Sequence, residues 1–99
     1  MTNHVIQPLE TVTVWQEDNP IIPAVASNVV VTNNGNTKLE IVSYWAPPSQ
    51  DYYPDTTYWA EPNETVLVKA PPNSLYYYRI NVTNSSDSDV GAAVANNSD

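Results

Sequence analysis

The sequence predicts an all-β chain folded as a single antiparallel β-sandwich, jelly-roll or immunoglobulin-like, of seven or eight short strands. Three observations predict it. The apolar residues are mostly Val, with no Phe and frequent Thr, and β-branched and aromatic side chains suit a pleated surface better than a helix. Short runs of alternating character are punctuated by Pro, Asn, Gly and Asp clusters, the pattern of many short strands. No crossover helix is visible, so the strands are expected to be antiparallel. A chain of 99 residues holds one modest core, and hence one domain.

Residues 1–9 are expected to form an extended N-terminal arm, ahead of a sandwich domain at 10–95 and a polar tail at 96–99. Alternation begins at ETVTVW, with Val12 and Val14 on one face and Thr11, Thr13 and Trp15 on the other. QEDNP breaks this strand. IIPAVAS follows, in which Pro23 is barred from a central ladder, and NVVVTN makes the next strand. Asn34 and Gly35 between two β-rich runs predict a type I′ hairpin. APPSQDYYPD is a Pro-stiffened loop, TTYWA a short strand, EPNE a turn and TVLVKA a strand. In LYYYRINVT, Tyr76, Tyr78, Ile80 and Val82 form one face and Tyr77, Arg79, Asn81 and Thr83 the other. NSSDSD turns the chain, and VGAAVA supplies a last strand. APPSQDYYP and APPNSLYYY look alike, but two occurrences of shared loop chemistry do not make a repeat.

The formal net charge of -8 leaves only three Lys and Arg side chains, too few to neutralise a row of phosphates, so nucleic acid and anionic membrane are excluded as partners. Without cysteine there is no disulfide framework and no thiolate metal site. No signal peptide and no membrane-spanning segment is visible. The four Asn-x-Ser/Thr triplets, at Asn63, Asn81, Asn84 and Asn96, read as chance matches in an Asn- and Thr-rich chain.

Catalysis finds little to work with. The one histidine, His4, lies in the expected arm, and the carboxylate pairs Asp51 with Asp55, Glu61 with Glu64 and Asp87 with Asp89 sit in polar turns. No enzymatic activity, cofactor or metal is expected; the Asp pairs lack the spacing of a calcium loop. The aromatic residues are more informative. Tyr and Trp offer a broad stacking face with a polar atom, which serves sugar binding and protein contact equally. Trp45 continues the parity of Leu39 and Ile41 and is expected inside, while the adjacent Tyr58 and Trp59 must point to opposite sides. Tyr52 and Tyr53, in a loop stiffened by Pro47, Pro48 and Pro54, are the leading contact candidates, with Tyr58, Trp59, Asp51 and Asp55. Val5 and Ile6 of HVIQPL are expected to lie along a neighbour's sheet edge.

VTNNGNTKLEIV and YRINVTNSSDSD resemble in style the β-sandwich subunits of virion decoration proteins and of signal-less bacterial surface or spore filaments, through generic hairpin chemistry that carries no residue-specific role. The resulting expectation is a non-enzymatic assembly protein at a virion, cell or spore surface. It would bind protein subunits, its own copies or a shell protein, as a homo-oligomer or part of a larger assembly. The alternative is a small carbohydrate-binding module whose Tyr/Trp-rich loop takes a glycan.

Overall fold

A computed structural model describes residues 2–17, 28–46, 51–70 and 77–98. Its elements are β1 (Thr2–Ile6), β2 (Thr11–Glu17), β3 (Val29–Asn33), β4 (Leu39–Ala46), β5 (Tyr53–Ala60), β6 (Thr65–Val68), β7 (Tyr77–Asn84) and β8 (Gly91–Asn97). They form two four-stranded antiparallel sheets, ordered β1-β8-β3-β6 and β2-β7-β4-β5. The pairs β1 with β8, β2 with β7, β3 with β6 and β4 with β5 are nested, as if one long hairpin had been rolled up. Of the two expected topologies, this is the jelly roll.

Alternation along each strand fills the space between the sheets. Ile6, Val29, Val31, Val68, Ala93 and Ala95 come from the first sheet, and Val14, Leu39, Ile41, Ala60, Tyr78, Ile80 and Val82 from the second. Three expectations are corrected here. Residues 2–6 are no free arm: they pair along their whole length with β8, and Ile6 is fully buried. Trp15 does not share a face with Thr13, because a register shift between them turns Trp15 inward opposite Ile80. Asn34 and Gly35 do not close a hairpin, since β3 and β4 belong to different sheets and Gly35 lacks a positive φ. Gly35 is needed for another reason, as a Cβ there would lie 2.7 Å from the backbone nitrogen of Ala92. The expected tail also differs, with Asn96 and Asn97 inside β8. IIPAVAS lies outside the described residues.

Buried asparagines hold two of the crossovers between the sheets. Asn33 donates from Nδ2 to the carbonyls of Thr37 (2.8 Å) and Ala60 (2.9 Å), while its Oδ1 accepts from Gly35 N–H (3.0 Å). Asn84 donates to the carbonyls of Ile6 (3.1 Å) and Asp89 (2.7 Å), and its Oδ1 accepts from Ser86 N–H (3.0 Å). Each side chain therefore ties a strand end in one sheet to the loop entering the other.

This likeness extends to the whole fold. QPLETVTV at 7–14 and EPNETVLV at 61–68 share Pro, Glu, Thr and two Val in register, and Val-Thr-Asn recurs at 31–33 and 82–84. In both turns the last Glu donates its N–H to the first residue's carbonyl, and its Oε1 accepts the N–H of that same residue. Thr32 bonds Thr65 at 2.9 Å, as Thr83 bonds Thr11 at 2.7 Å. Advancing every label by four converts the order β1-β8-β3-β6 into β5-β4-β7-β2, the second sheet read backwards. The sandwich is thus two copies of one four-strand unit, β1 to β4 and β5 to β8.

The halves differ usefully at the third turn residue, Leu9 (φ 61°) against Asn63 (φ 68°). A left-handed backbone costs an ordinary L-residue roughly 1–2 kcal/mol and asparagine less. Leu9 is well exposed and has no packing to lose. Leu9→Asn is expected to stabilise the chain by about 1 kcal/mol, read as a higher urea midpoint at unchanged slope; a lower midpoint would show that Leu9 is held by packing.

Candidate functional site

The two ends of the sandwich are built differently. At one end the connections 7–10, 34–38, 61–64 and 85–90 are short and internally bonded. The two longest connections, 18–28 and 69–76, join strands at the opposite end, together with 47–52. Binding surfaces concentrate where longer loops rest on a rigid scaffold, and the aromatic residues follow this polarity.

At the long-loop end, Trp45 on β4 lies opposite Tyr53 on β5, with ring centroids 5.5 Å apart and planes tilted by 40°. Tyr44, Arg79 and Gln16 lie side by side on β4, β7 and β2. Their alternation aims them away from the core. The Arg79 guanidinium sits over the Tyr52 ring, 4.1 Å from its centroid, a cation–π contact that restricts where the cation can go. Its buried Nε has no hydrogen bond among the described residues. Asp51 and Asp55 are exposed at the margin, and Asp55 is the extra residue of a bulge where β5 slips between Ser43 and Tyr44. Thr56 N–H donates to the buried Ser43 Oγ at 3.2 Å, fixing that bulge. Pro54 is tolerated because β5 is an edge strand.

The structure separates the contact candidates into different places. Tyr52, Tyr53, Asp51 and Asp55 belong together at the long-loop end. Tyr52 is half-buried under Arg79 rather than free on a loop, and Tyr53 is in β5, 48% exposed. Tyr58 packs against the core, and its hydroxyl accepts the Lys69 N–H at 3.4 Å. Trp59 is 49% exposed but lies six residues along β5 from Tyr53, about 20 Å away at strand rise. It neighbours Glu40, and the Lys38 ammonium lies 5.2 Å from its ring centroid. Val5 and Ile6 are on the other sheet, Val5 exposed and Ile6 in the core. Ile6 is therefore corrected from contact residue to core residue.

Arg79, Tyr44 and Gln16 were not singled out from the sequence. Alternation in YYYRINVT already placed Arg79 on an outer face, but only cross-strand register brings it beside Tyr44 and Tyr52. The Asp87 to Asp89 turn serves the fold: Ser86 Oγ accepts the N–H groups of Ser88 and Asp89, and the Asp89 carbonyl receives Asn84. Among the described residues, no group of three or more His, Cys, Asp or Glu side chains could hold a metal ion.

The second sheet at this end thus offers an arginine over a tyrosine ring on its outer face, an exposed tyrosine at the rim of the other face, where Tyr53 pairs with Trp45 and Trp45 with buried Tyr78, and flanking carboxylates. It can stack and hydrogen-bond a partner. Residues 1–94 match the model of a family described as PirA-like. A crystal structure of PirA superposes with a TM-score of 0.82 at 24% sequence identity, covering 97% of this chain and 91% of that one. A comparison with curated proteins gives no match.

Proposed function

The chain belongs to the PirA-like family, and on that premise we propose that it is a non-enzymatic binding subunit of a toxin-related system, docking a protein partner through Tyr52, Tyr53, Tyr44 and Arg79. PirA is a toxin-related protein. The observation that carries the proposal is the Arg79–Tyr52 contact on the outer face of the second sheet, with exposed Tyr53 at the rim of the opposite face, at the end where β2, β4 and β6 finish and β3, β5 and β7 begin. Tyr and Arg are the residues most often found to dominate binding energy at interfaces. A stacked guanidinium is partly ordered in advance, which reduces the entropy lost on docking.

Neither the family match nor the PirA structure supports the virion, capsid-decoration and filament settings expected from the sequence, and the proposal drops them. It retains binding to other protein subunits. The test compares tagged wild type, a Tyr53→Ala/Arg79→Ala variant and a Trp59→Ala variant, each recovered from the native producer. Wild type and Trp59→Ala should retain a discrete protein in near-stoichiometric amount. The double variant should lose it at least tenfold, with its melting midpoint within a few degrees of wild type. Equal retention by all three overturns the proposal. A glycan array probed with the same proteins examines the sugar reading, and ring-dependent glycan binding without a retained protein would replace the proposal with that one.

A further inference from the structure

We propose that the free edge of β1 is a self-docking edge, on which a second copy of this chain pairs through its own β1, antiparallel, to join two first sheets into one. Exposed strand edges invite pairing and are normally blunted by bulges, prolines, charges or shortness. β2 is interrupted by its register shift at Val14, β5 carries Pro54 and the Asp55 bulge, and β6 has four residues and runs into Lys69. β1 has neither bulge, proline nor formal charge, and is one residue longer than β6: its register with β8 is unbroken, and TNHVI contains no proline, lysine or carboxylate. Among the described residues nothing pairs with its outer side.

The internal repeat sharpens the contrast. β1 occupies the place in the first unit that β5 occupies in the second, with Ile6 and Ala60 buried and Val5 (55%) and Trp59 (49%) exposed at matching positions. One unit guards this edge and the other leaves it open.

Charge selects the occupant. The chain carries a formal net charge of -8, so two copies repel wherever their carboxylates meet. β1, β3, β6 and β8 contain no Asp, Glu, Lys or Arg, and every carboxylate lies outside them. A cationic partner would be drawn elsewhere, whereas a second copy meets least opposition here. Antiparallel pairing about His4 closes on itself, placing His4 opposite its counterpart and Asn3 opposite the partner copy's Val5, as two-fold symmetry requires. Asn3 and Val5 are both exposed. A joint of five residues a side buries less than a standard interface, so the dimer should be weak and concentration-dependent.

Sedimentation velocity over a concentration series from about 10 µM to about 1 mM tests this without reference to the ligand site. Wild type should pass from monomer to dimer. Val5→Lys should raise the dissociation constant at least tenfold while keeping the wild-type melting midpoint, because the side chain is already in solvent. Leu67→Lys, on the far edge of the same sheet and 45% exposed, should dimerise as wild type does. A wild type that remains monomeric throughout, or loss of dimer in both variants alike, overturns the proposal. Because Tyr53→Ala/Arg79→Ala leaves β1 untouched, its dimerisation should be normal whether or not the proposed partner contact is correct.

Discussion

Asn84→Ala is expected to lower stability by about 2–4 kcal/mol, a melting midpoint lower by roughly 10 to 25 °C. The side chain is fully buried and serves three backbone groups, the Ile6 and Asp89 carbonyls and the Ser86 N–H. Alanine strands all three, and the Ile6 carbonyl sits at the junction of β1 with the crossover, where water reaches it poorly. Asn84→Asp should do no better, since it turns an oxygen toward two carbonyls in place of the donor. The internal repeat makes a second demand: Asn33→Ala should cost a similar amount, because Asn33 holds the same three kinds of group in the other half. Urea denaturation of the two variants checks both statements. A loss under 1 kcal/mol at either position would mean that water or relaxed backbone replaces the side chain.

The second large effect concerns the N-terminus. Removing residues 1–6 should unfold the chain or cost more than about 4 kcal/mol, because it deletes an entire strand of the first sheet and empties the place of Ile6. Ile6→Ala alone should cost about 2–4 kcal/mol through the cavity it leaves. Far-ultraviolet circular dichroism with urea titration distinguishes this from an arm: an arm could be cut away with no change in midpoint. For the same reason truncation is a poor probe of association here, and Val5→Lys is the informative variant.

Much of this fold was legible in the residues. The alternation of ETVTVW, NVVVTN, TVLV and YRINVT, with turn residues between them, gives strands, antiparallel pairing and one core without reference to coordinates. The register shift that turns Trp15 inward was not legible, since a bulge breaks the period-two rule that reads faces. Nor was the fate of TNHVI, whose five residues carry no stronger strand signal than a loop; β8, with GAAVANN, is weaker still, and each is stabilised by the other. The Asn-Gly step misled because the same dipeptide serves a hairpin and a tight crossover, and the choice depends on Ala92, 57 positions away. The internal repeat was present in plain letters, QPLETVTV against EPNETVLV.

For the candidate site, residue type pointed to Tyr52 and Tyr53, with Asp51 and Asp55 beside them. Grouping these with Trp59, Val5 and Ile6 failed because nearness in a jelly roll is set by cross-strand register. Tyr53 and Trp59 share a strand yet mark opposite ends of it. Arg79, 27 positions from Tyr52, becomes its stacking partner because β7 lies next to β4.

The central claim is that recognition occurs at the long-loop end while the asparagine-stapled end is scaffold. Its most direct test places a photo-crosslinking amino acid singly at Tyr53 or at Asn63, then irradiates each protein in extract of the native producer. A discrete adduct is expected from position 53, abolished when Arg79→Ala is added, and none from position 63. Adducts from position 63 alone, or in equal yield from both, would contradict it.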